Sequence, residues 1–548
     1  MRAFFVLLSA LLLAAAWLLP FHKTPWTTFG SELLTFGAAF SLLGAFIKQP
    51  FKVAKPQWLV AWVLLIPLLQ LAFGQVLYLS NALLTTGYLL SFWLMIVAGY
   101  NLSLNPAARE TLFKRFCLLL IAVGLLSSLI AVLQWLHLIG YFAPFMNYLK
   151  GNRPYANFAQ PNNLATFLTM SVLACLYLYE KRLCPKIALI PISLVLIFTI
   201  VLTQSRTSWV VALFILGYWG IKSFNRSKRL SMLQCLAWVG IFVGMIFLLP
   251  YINSLIESFS HQQVISTSSV VQRASSGYLR FDMWTQGLVA IGQQPWFGYG
   301  WNQTGMAQIA AFDLYPSHEW YKSAHNVVLD LLIWNGIPIG ALILLYLTGW
   351  LYWLNKGAKE SVSIIAMLMV SAILIHALLE FPIHYAYFLL PMGFLLGMIQ
   401  AQYPRLPSID VPPNLLRLFV VVGIIFVSVV YHDYHLYRYQ NGLAYKKQLN
   451  AEEQLEMQEQ IWVLTQFKDR LRWIQLDPRS QLSETELQHF KRVVANSASS
   501  SDILKYARVL AFNGKKAEAE HQLWILKELH GQTKQYADLI EVSVASTP

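Results

Sequence analysis

The sequence predicts an all-α polytopic membrane protein with about thirteen transmembrane helices. Its composition is the first indication, because 57% of the 548 residues are hydrophobic, only 12% are charged and the mean hydropathy is +0.51. The second is that apolar runs of about 20 residues, the length that crosses a hydrocarbon core, follow one another along most of the chain. The third is that loops rich and poor in basic residues alternate, as the positive-inside rule requires.

The apolar runs place thirteen predicted spans in the first 432 residues. They cover residues 3–20, 29–47, 57–73, 79–100, 113–136, 162–179, 187–203, 208–221, 231–251, 325–354, 361–380, 383–402 and 414–432. Between spans 9 and 10 the chain leaves one large loop, residues 251–324. Residues 433–548 change to the composition of a small soluble helical domain, and the Ala and Leu spacing in residues 505–531 is typical of a tetratricopeptide-like helical hairpin.

The basic residues predict the orientation. If the N-terminus is cytoplasmic, Arg2 and the loops on that side hold 18 Lys and Arg residues, whereas the opposite loops hold seven. The seven are Lys23, Lys150, Arg153, Arg206, Arg273, Arg280 and Lys322. This asymmetry places the large loop and the tail outside. The tail carries 15 basic and 15 acidic side chains, so the net charge of +14 belongs to the membrane part and predicts no nucleic-acid partner.

The unusual polar stretches all fall in predicted external loops. They are GNRPYANFAQPNN (151–163), TQSRTSW (203–209), GYLRFDMW (277–284), QPWFGYGWNQ (294–303), SHEWYKSAHN (317–326) and LLEFPIHYAYFLLP (378–391). A transporter would more typically place such groups near the bilayer midplane and show internal repeats, and the sequence shows neither. We therefore expect chemistry at the outer surface, with a transporter as the non-enzyme alternative.

Three external arginines are candidates for binding an anion. Arg206 lies in a short turn between two apolar helices, where its planar guanidinium can donate to phosphate oxygens; alternatively it is an interfacial arginine that snorkels. Arg280 begins a possible amphipathic helix and could instead pair with Asp282. Arg153 could anchor its loop to lipid headgroups. Because this side is otherwise poor in positive charge, the three together favour a shared anionic ligand.

His325 is the candidate for reaction chemistry. It opens a predicted helix of about 30 residues, too long for the hydrocarbon core, whose first turns therefore project above the membrane. An imidazole there can exchange protons near neutral pH. The alternative is a capping or interfacial histidine. His318 is a weaker candidate in the same loop.

The sequence favours a reaction without a bound metal or other cofactor. His376, Glu380 and His384 have the spacing of one helical face, but Pro382 interrupts the register between them. Neither an H-E-x-x-H motif nor a D-x-D pair is present.

Four of these stretches together resemble a known family. RPYANFAQPNNLATF after span 5, QSRTSW after span 7, AHNVVLDLLIWNGIPIG at the end of the large loop and LLEFPIHYAYFLLP beyond it are similar to bacterial O-oligosaccharyltransferases of the PglL type, or pilin glycosylation ligases. These belong with the O-antigen ligases and polymerases. The resemblance covers nearly all of the chain, and the RPYANxAQPN pattern is its most specific part.

The resemblance implies an enzyme of the bacterial inner membrane with its active site facing the periplasm. It would transfer a preassembled glycan from undecaprenyl diphosphate to Ser or Thr hydroxyls of a pilin or other periplasmic protein. A lipopolysaccharide O-antigen ligase or an O-antigen polymerase would use the same donor and stays an alternative. The non-enzyme alternative becomes a lipid-linked glycan transporter.

The resemblance also implies roles for single residues. His325 matches a histidine on which the family relies in the large loop, and Gln160 matches the glutamine of the AQPN segment. The family also uses a tyrosine after span 11, for which Tyr385 and Tyr387 are both candidates.

Arg206 and Arg280 match the arginines that hold the donor diphosphate in the ligases. Arg153 and Asn326 are further candidates for positioning the substrate. The predicted domains are a transmembrane glycosyltransferase domain, residues 1–432, and a helical periplasmic domain, residues 433–548. The second domain would either help to recruit the acceptor protein or act as a stabilising cap.

Overall fold

A computed structural model describes residues 2–48, 50–142, 145–224, 228–260, 278–403, 406–445 and 458–540. Arg273, which contributed to the predicted charge asymmetry, lies outside these residues, as do positions 261–277 of the large loop. The chain divides into two compact units. The first comprises residues 1–61, 88–273 and 348–423, and the second comprises residues 62–87, 274–347 and 424–548.

Every predicted span falls on helical residues, and the span at residues 57–73 is divided between two consecutive helices. The helices of the first half are α1 (Arg2–Leu18), α2 (Phe29–Gly44), α3 (Lys55–Trp62), α4 (Ile66–Ala72), α5 (Leu79–Leu102), α6 (Pro106–Trp135), α7 (Pro161–Glu180), α8 (Lys186–Thr203), α9 (Thr207–Phe224) and α10 (Met232–Ser260). They continue with α11 (Tyr278–Gln293), α12 (Thr304–Ala311), α13 (Val327–Gly357), α14 (Ser361–Ala377), α15 (Ala386–Gln400) and α16 (Pro413–Tyr445). The tail adds α17 (Gln466–Gln475), α18 (Glu484–Asn496), α19 (Ser500–Phe512), α20 (Lys516–His530) and α21 (Tyr536–Ile540).

Eight helical stretches among the described residues are long and apolar enough to cross a membrane. They are Lys55–Ala72, Leu79–Leu102, Pro106–Trp135, Pro161–Glu180, Lys186–Thr203, Met232–Phe259, Val327–Gly357 and Pro413–Leu443. The helical, multi-pass class is therefore confirmed. The number thirteen stays a prediction, because several of the other apolar helices are shorter than 18 residues.

In the first unit, glycines allow helices to pack at close range. A Cβ atom on Gly397 of α15 would lie 1.9 Å from the carbonyl oxygen of Ile96 in α5. One on Gly99 of α5 would lie 2.1 Å from the carbonyl oxygen of Phe394. Small residues permit this approach between membrane helices. Helix α15 is buried along its whole length, as expected for a central helix.

A two-stranded antiparallel sheet also belongs to the first unit and was not predicted. Strand β1 (Phe51–Ala54) pairs with β2 (Ser408–Val411), so that Phe51 lies opposite Val411 and Ala54 opposite Ser408. Strands of four residues are too short to leave a periodic signal.

The second unit joins part of the large loop to the tail. The hydrophobic core of the tail includes Trp473, Phe490 and Tyr506, and Phe312 from the loop after α12 is buried in the same cluster. A hydrogen bond of 2.7 Å between His521 and Asp313 lies at the same contact. This part of the loop and the tail are therefore packed together as one body.

The tail helices have recognisable ends. Ser483 and Glu486 form a capping box at the start of α18, Ser499 caps α19, and Gly531 ends α20 in a left-handed conformation. Residues 505–531 thus contribute to two helices joined by a short turn, while their tetratricopeptide-like classification stays a prediction. The predicted boundary at residue 433 falls within α16, which continues to Tyr445.

Candidate functional site

In the first unit, the polar stretch 151–163 is held in place by buried amides. The Gln134 side chain accepts hydrogen bonds from the backbone N–H groups of Tyr155 (2.9 Å) and Ala156 (2.7 Å). The Asn157 side chain is also buried and donates to the carbonyl oxygen of Leu18 at 2.7 Å. Buried backbone groups need such partners. Part of the polarity of this stretch is therefore structural.

Other side chains of the stretch form a chain of hydrogen bonds that reaches Glu380. Arg153 donates to the carbonyl oxygen of Thr203 at 2.7 Å and to the side-chain oxygen of Asn162 at 2.9 Å. The Asn162 amide in turn donates to the buried Glu380 carboxylate at 3.2 Å, and Gln160 donates to its other oxygen at 3.4 Å. The structure thus brings together Arg153 and Gln160, two of the predicted residues, around a carboxylate.

The two candidate tyrosines differ in their surroundings. Tyr387 is buried, and its hydroxyl accepts a hydrogen bond from the Asn163 amide at 3.1 Å. Its backbone carbonyl accepts another from Trp17 at 3.0 Å. Tyr385 is partly exposed and stacks on the Tyr387 ring at 5.2 Å between centroids. Tyr385 is therefore the more accessible of the pair.

Arg206 lies in the turn between α8 and α9. The turn begins at Gln204, which has a left-handed φ of 52°, and the side chain of Arg206 is exposed. The turn follows directly on Thr203, the residue whose carbonyl accepts from Arg153. The short connection leaves the Arg206 backbone fixed by two helices.

In the second unit, Asp330 organises the turn that contains His325. Its buried carboxylate accepts hydrogen bonds from the Ser323 hydroxyl (2.5 Å), the Thr304 hydroxyl (2.8 Å) and the backbone N–H of Ala324 (2.9 Å). The His325 N–H donates to the Ser323 oxygen at 3.1 Å. A charged acceptor with several donors makes strong hydrogen bonds. The turn is consequently well defined before any substrate binds.

His325 itself does not cap the helix. Its backbone is left-handed, with φ of 51°, and α13 begins two residues later. The capping residue is Asn326, whose side-chain oxygen accepts from the N–H groups of Val328 (3.0 Å) and Leu329 (3.4 Å). Asn326, and not His325, is therefore the helix cap. The His325 imidazole is partly exposed.

Arg280 lies on the helix face that contacts this turn. Four residues later on α11, Trp284 donates its indole N–H to the carbonyl oxygen of Ala324 at 3.0 Å. Residues i and i+4 of a helix are neighbours on one face. The structure therefore brings Arg280 and His325 to one region of the second unit. Asp282, the alternative partner of Arg280, accepts a hydrogen bond from Tyr315 at 3.3 Å.

The environment of this turn is largely buried. The Tyr321 hydroxyl donates to Gln286 at 2.9 Å. Burial, together with the negative charge of Asp330, raises the pKa of Tyr321 well above its usual range, so it remains a hydrogen-bond donor.

The other titratable candidates have contacts elsewhere. His318 is exposed and bonds to the carbonyl oxygen of Glu528 in α20 at 2.9 Å. His376 is buried beside Thr166, 2.9 Å from its hydroxyl. Within the described ranges, no three His, Cys, Asp or Glu side chains lie close enough to hold a metal ion.

Comparisons with known proteins decide the family. The chain matches the families O-Antigen ligase over residues 191–345, Virulence factor membrane-bound polymerase, C-terminal, over residues 364–540, and Protein glycosylation ligase over residues 154–179. It is 44% identical over 548 residues to the General O-oligosaccharyltransferase of Acinetobacter baylyi. This alignment covers 100% of this chain and 96% of the relative. The chain belongs to the PglL-type O-oligosaccharyltransferases.

A second relative, the ComP-specific O-oligosaccharyltransferase of the same species, is 29% identical over 393 residues, or 71% of this chain and 70% of the relative. The predicted family, enzyme class and function are confirmed: this PglL-type protein is a glycosyltransferase that acts as a protein O-oligosaccharyltransferase. The matched regions contain the polar segments described above, apart from residues 151–153 at the start of the first. Residues 154–179 include Gln160, and residues 191–345 include Arg206, Arg280 and His325.

Sequence reasoning missed two carboxylates. In the sequence, Glu380 stands out only through its spacing to His376 and His384, and Asp330 is one acidic residue within an apolar run. The available signal was an acidic side chain next to apolar residues, within α13 for Asp330 and directly after α14 for Glu380; in a membrane protein such a side chain is rarely without a partner or a function.

Proposed function

We propose that the enzyme transfers a preassembled glycan en bloc from undecaprenyl diphosphate to Ser or Thr hydroxyls of periplasmic or pilin-like proteins. The reaction takes place at the periplasmic face of the bacterial inner membrane. The full-length similarity to a general O-oligosaccharyltransferase carries this proposal. Because the similarity to the ComP-specific relative is lower and covers less of the chain, a broad acceptor range is favoured.

Two guanidinium groups act on the leaving group. As the bond between the anomeric carbon and the diphosphate oxygen breaks, negative charge develops on that oxygen. Arg206 and Arg280 donate paired N–H groups to the diphosphate and stabilise this charge. The exposed turn of Arg206 and the position of Arg280 next to the His325 turn support these roles.

His325 acts on the acceptor. Its imidazole takes the proton of the attacking Ser or Thr hydroxyl while the hydroxyl oxygen bonds to the anomeric carbon, and undecaprenyl diphosphate leaves. The hydrogen bonds around Asp330 hold the turn from which the imidazole projects. Asn326 contributes by fixing the start of α13 directly after it.

The chain of hydrogen bonds in the first unit positions the substrate. Gln160 and the partly exposed Tyr385 contact sugar or acceptor groups. The hydrogen bonds of Arg153 support the position of Gln160, and the ring of Tyr387 supports that of Tyr385. Orientation of reacting groups is a large part of enzymatic rate enhancement, and these residues supply it here.

The test is expression in a glycosylation-deficient host that makes one defined lipid-linked glycan, together with a pilin-like protein and an unrelated periplasmic protein that carries an exposed Ser-rich segment. Intact-mass measurement should show both proteins heavier by one whole glycan. Modification of the pilin alone would contradict the broad acceptor range. Glycan found only on lipid A core, or as a longer polymer, would instead establish the ligase or polymerase alternative.

A further inference from the structure

Two aromatic side chains of the large loop are unusually exposed. Trp296 is 70% exposed and Phe297 is 71% exposed, in the segment that connects α11 to α12. Residues this large and apolar usually bury most of their surface in a soluble domain. Among the described residues nothing covers most of their surface, so a partner other than water is expected there.

The backbone of this segment is fixed to a break in α13. The N–H of Ile337 donates to the carbonyl oxygen of Pro295 at 2.7 Å, and the N–H of Tyr299 donates to that of Ile333 at 2.8 Å. At the break, Gly336 has φ of 72° and ψ of 174°, and a Cβ atom there would lie 2.4 Å from the carbonyl oxygen of Trp296. The two aromatic residues thus stand beside the break.

The part of α13 beyond the break has the length of a membrane span. The part of α13 that follows, residues 337–357, contains 21 residues and ends at Lys356 and Gly357. At about 1.5 Å per residue it is about 31 Å long, which matches the hydrocarbon thickness of a bilayer. Leu342 and Leu345 on this part are both exposed, as lipid-facing side chains are.

A second apolar helix ends at the same place. Helix α4 ends at Ala72 and is followed by the strongly exposed Phe73. Two residues later, the Gln75 amide donates to the carbonyl oxygens of Phe297 (2.6 Å) and Gly298 (2.9 Å). The end of α4, the break in α13 and the aromatic pair therefore lie close together. In membrane proteins Trp side chains are enriched where apolar helices reach the membrane–water interface.

We propose that the segment Pro295–Phe297 rests in the bilayer interface, with the side chains of Trp296 and Phe297 among the lipid headgroups, and that it thereby fixes the depth at which the His325 turn stands above the hydrocarbon core. The occupant of this apolar surface is the lipid bilayer, because the surface is continuous with the lipid-facing side of α13.

The consequence for the reaction rests on the proposed function. Residues 327–335 of α13 lie between the His325 turn and the break, and nine helical residues rise about 13 Å. The donor diphosphate is tied to the membrane by its lipid, so it stays at a limited height. A fixed height of the turn keeps the imidazole within reach of the diphosphate-linked sugar.

A spin label measures the depth directly and requires no glycan transfer. Phe297→Cys is made in full-length enzyme whose four native cysteines are replaced by alanine, labelled with a nitroxide and reconstituted in phosphatidylethanolamine–phosphatidylglycerol vesicles. The native cysteines are Cys117, Cys175, Cys184 and Cys235. Leu345→Cys, 72% exposed on α13, is the lipid control, and Leu314→Cys, 65% exposed next to the tail, is the water control.

We expect the label at position 297, like the label at position 345, to be more accessible to oxygen than to a water-soluble nickel chelate. The label at position 314 should be more accessible to the chelate. Accessibility like that at 314 overturns the proposal. The same holds if position 297 becomes shielded only when acceptor protein is added, because the surface then binds protein. These outcomes are read independently of whether the proposed transfer reaction occurs.

The depth-setting role is tested with Trp296→Ser/Phe297→Ser, assayed in vesicles with lipid-linked donor. We expect transfer to fall severalfold, Phe297→Trp to remain active, and Leu314→Ser to match the unmodified enzyme. Full activity of the double variant, with the label at 297 still in lipid, overturns the statement that the segment sets the depth of the site.

Discussion

At the scale of single residues, the left-handed backbone of His325 determines which substitution tests its role. Asn tolerates a positive φ better than Ala, so His325→Asn removes the imidazole with little added strain. We expect transfer to fall about a hundredfold, the usual contribution of a positioned base. His318→Ala, which alters a contact with the tail, should have a small effect. The measurement is the initial rate of glycan transfer, followed by intact mass. Nearly full activity of His325→Asn would exclude the proton-transfer role.

Asp330 offers a test of how the His325 turn is positioned. Asp330→Asn keeps the size of the side chain but weakens a carboxylate that accepts from Ser323, Thr304 and Ala324. Charged hydrogen bonds of this kind are worth about 1.5–3 kcal/mol, so we expect turnover to fall roughly tenfold or more. Donor affinity should hold, and the pH profile of the rate should change shape.

Asp282→Asn is the matched control for that variant, because Asp282 lies in the same unit and accepts a long hydrogen bond, 3.3 Å, from the Tyr315 hydroxyl. Equal losses in both variants, in proportion to the amount of folded protein, would show that Asp330 only stabilises the fold.

Arg206→Lys separates a donor-binding arginine from an interfacial one. Lys keeps the positive charge but loses the planar pair of donors that fits a diphosphate. We expect weaker use of limiting lipid-linked donor at an unchanged protein level, measured as a rise in KM. Lys23→Arg, at another external basic position, should leave KM unchanged. An unaltered KM for Arg206→Lys would mean that this side chain only anchors the turn to the interface.

Some of these residues are recognisable in the sequence and others are not. Arg153, Gln160 and His325 stand out because they interrupt apolar runs in polar segments. Glu380 also lies in a polar segment, but its contact with Asn162, which lies 218 positions away, is visible only in the structure. The roles of Tyr385 and Tyr387 also require coordinates, because two residues of the same type differ only in their burial.

At the scale of helices, Gly336 determines the break in α13. Glycine adopts its φ of 72° without strain, whereas residues with a side chain rarely do. An added Cβ would also clash with the Trp296 carbonyl oxygen at 2.4 Å. We expect Gly336→Ala to lower the thermal unfolding temperature and the activity together, since such backbone strain costs about 1–3 kcal/mol. Gly349→Ala in the same helix meets no atom within 4 Å and should be neutral. Equal melting temperatures for the two variants would contradict the break.

Periodicity and length predict where helices lie, but not how they are interrupted. Each of the thirteen apolar runs falls on a helix, because a run of apolar residues in lipid must satisfy its own backbone. The break at Gly336 was missed, since one glycine within an apolar helix is ordinary. The strands Phe51–Ala54 and Ser408–Val411 were missed because their pairing joins residues far apart in sequence.

At the scale of the whole molecule, the packing of Phe312 in the tail core constrains the topology. Two segments that share one hydrophobic core lie on the same side of a membrane, so the chain between them must cross it an even number of times. Four helices, α13 to α16, separate Phe312 from the tail helices. If each of these four helices crosses the membrane, as the sequence predicts, the loop and the tail lie on the same side, and the charge asymmetry predicts that this side is the periplasm.

Cysteine labelling from outside the cell distinguishes the two possible sides. Leu314→Cys in the loop and Lys516→Cys in the tail, made in the cysteine-free enzyme, should both react with a membrane-impermeant maleimide in cells whose outer membrane alone is permeabilised. Lys228→Cys, between α9 and α10 among basic residues, should react only after the inner membrane is opened. Labelling of position 228 but not 314 would reverse the orientation. Labelling of position 314 without position 516 would instead place the loop and the tail in different compartments. That result would contradict the hydrophobic core that they share.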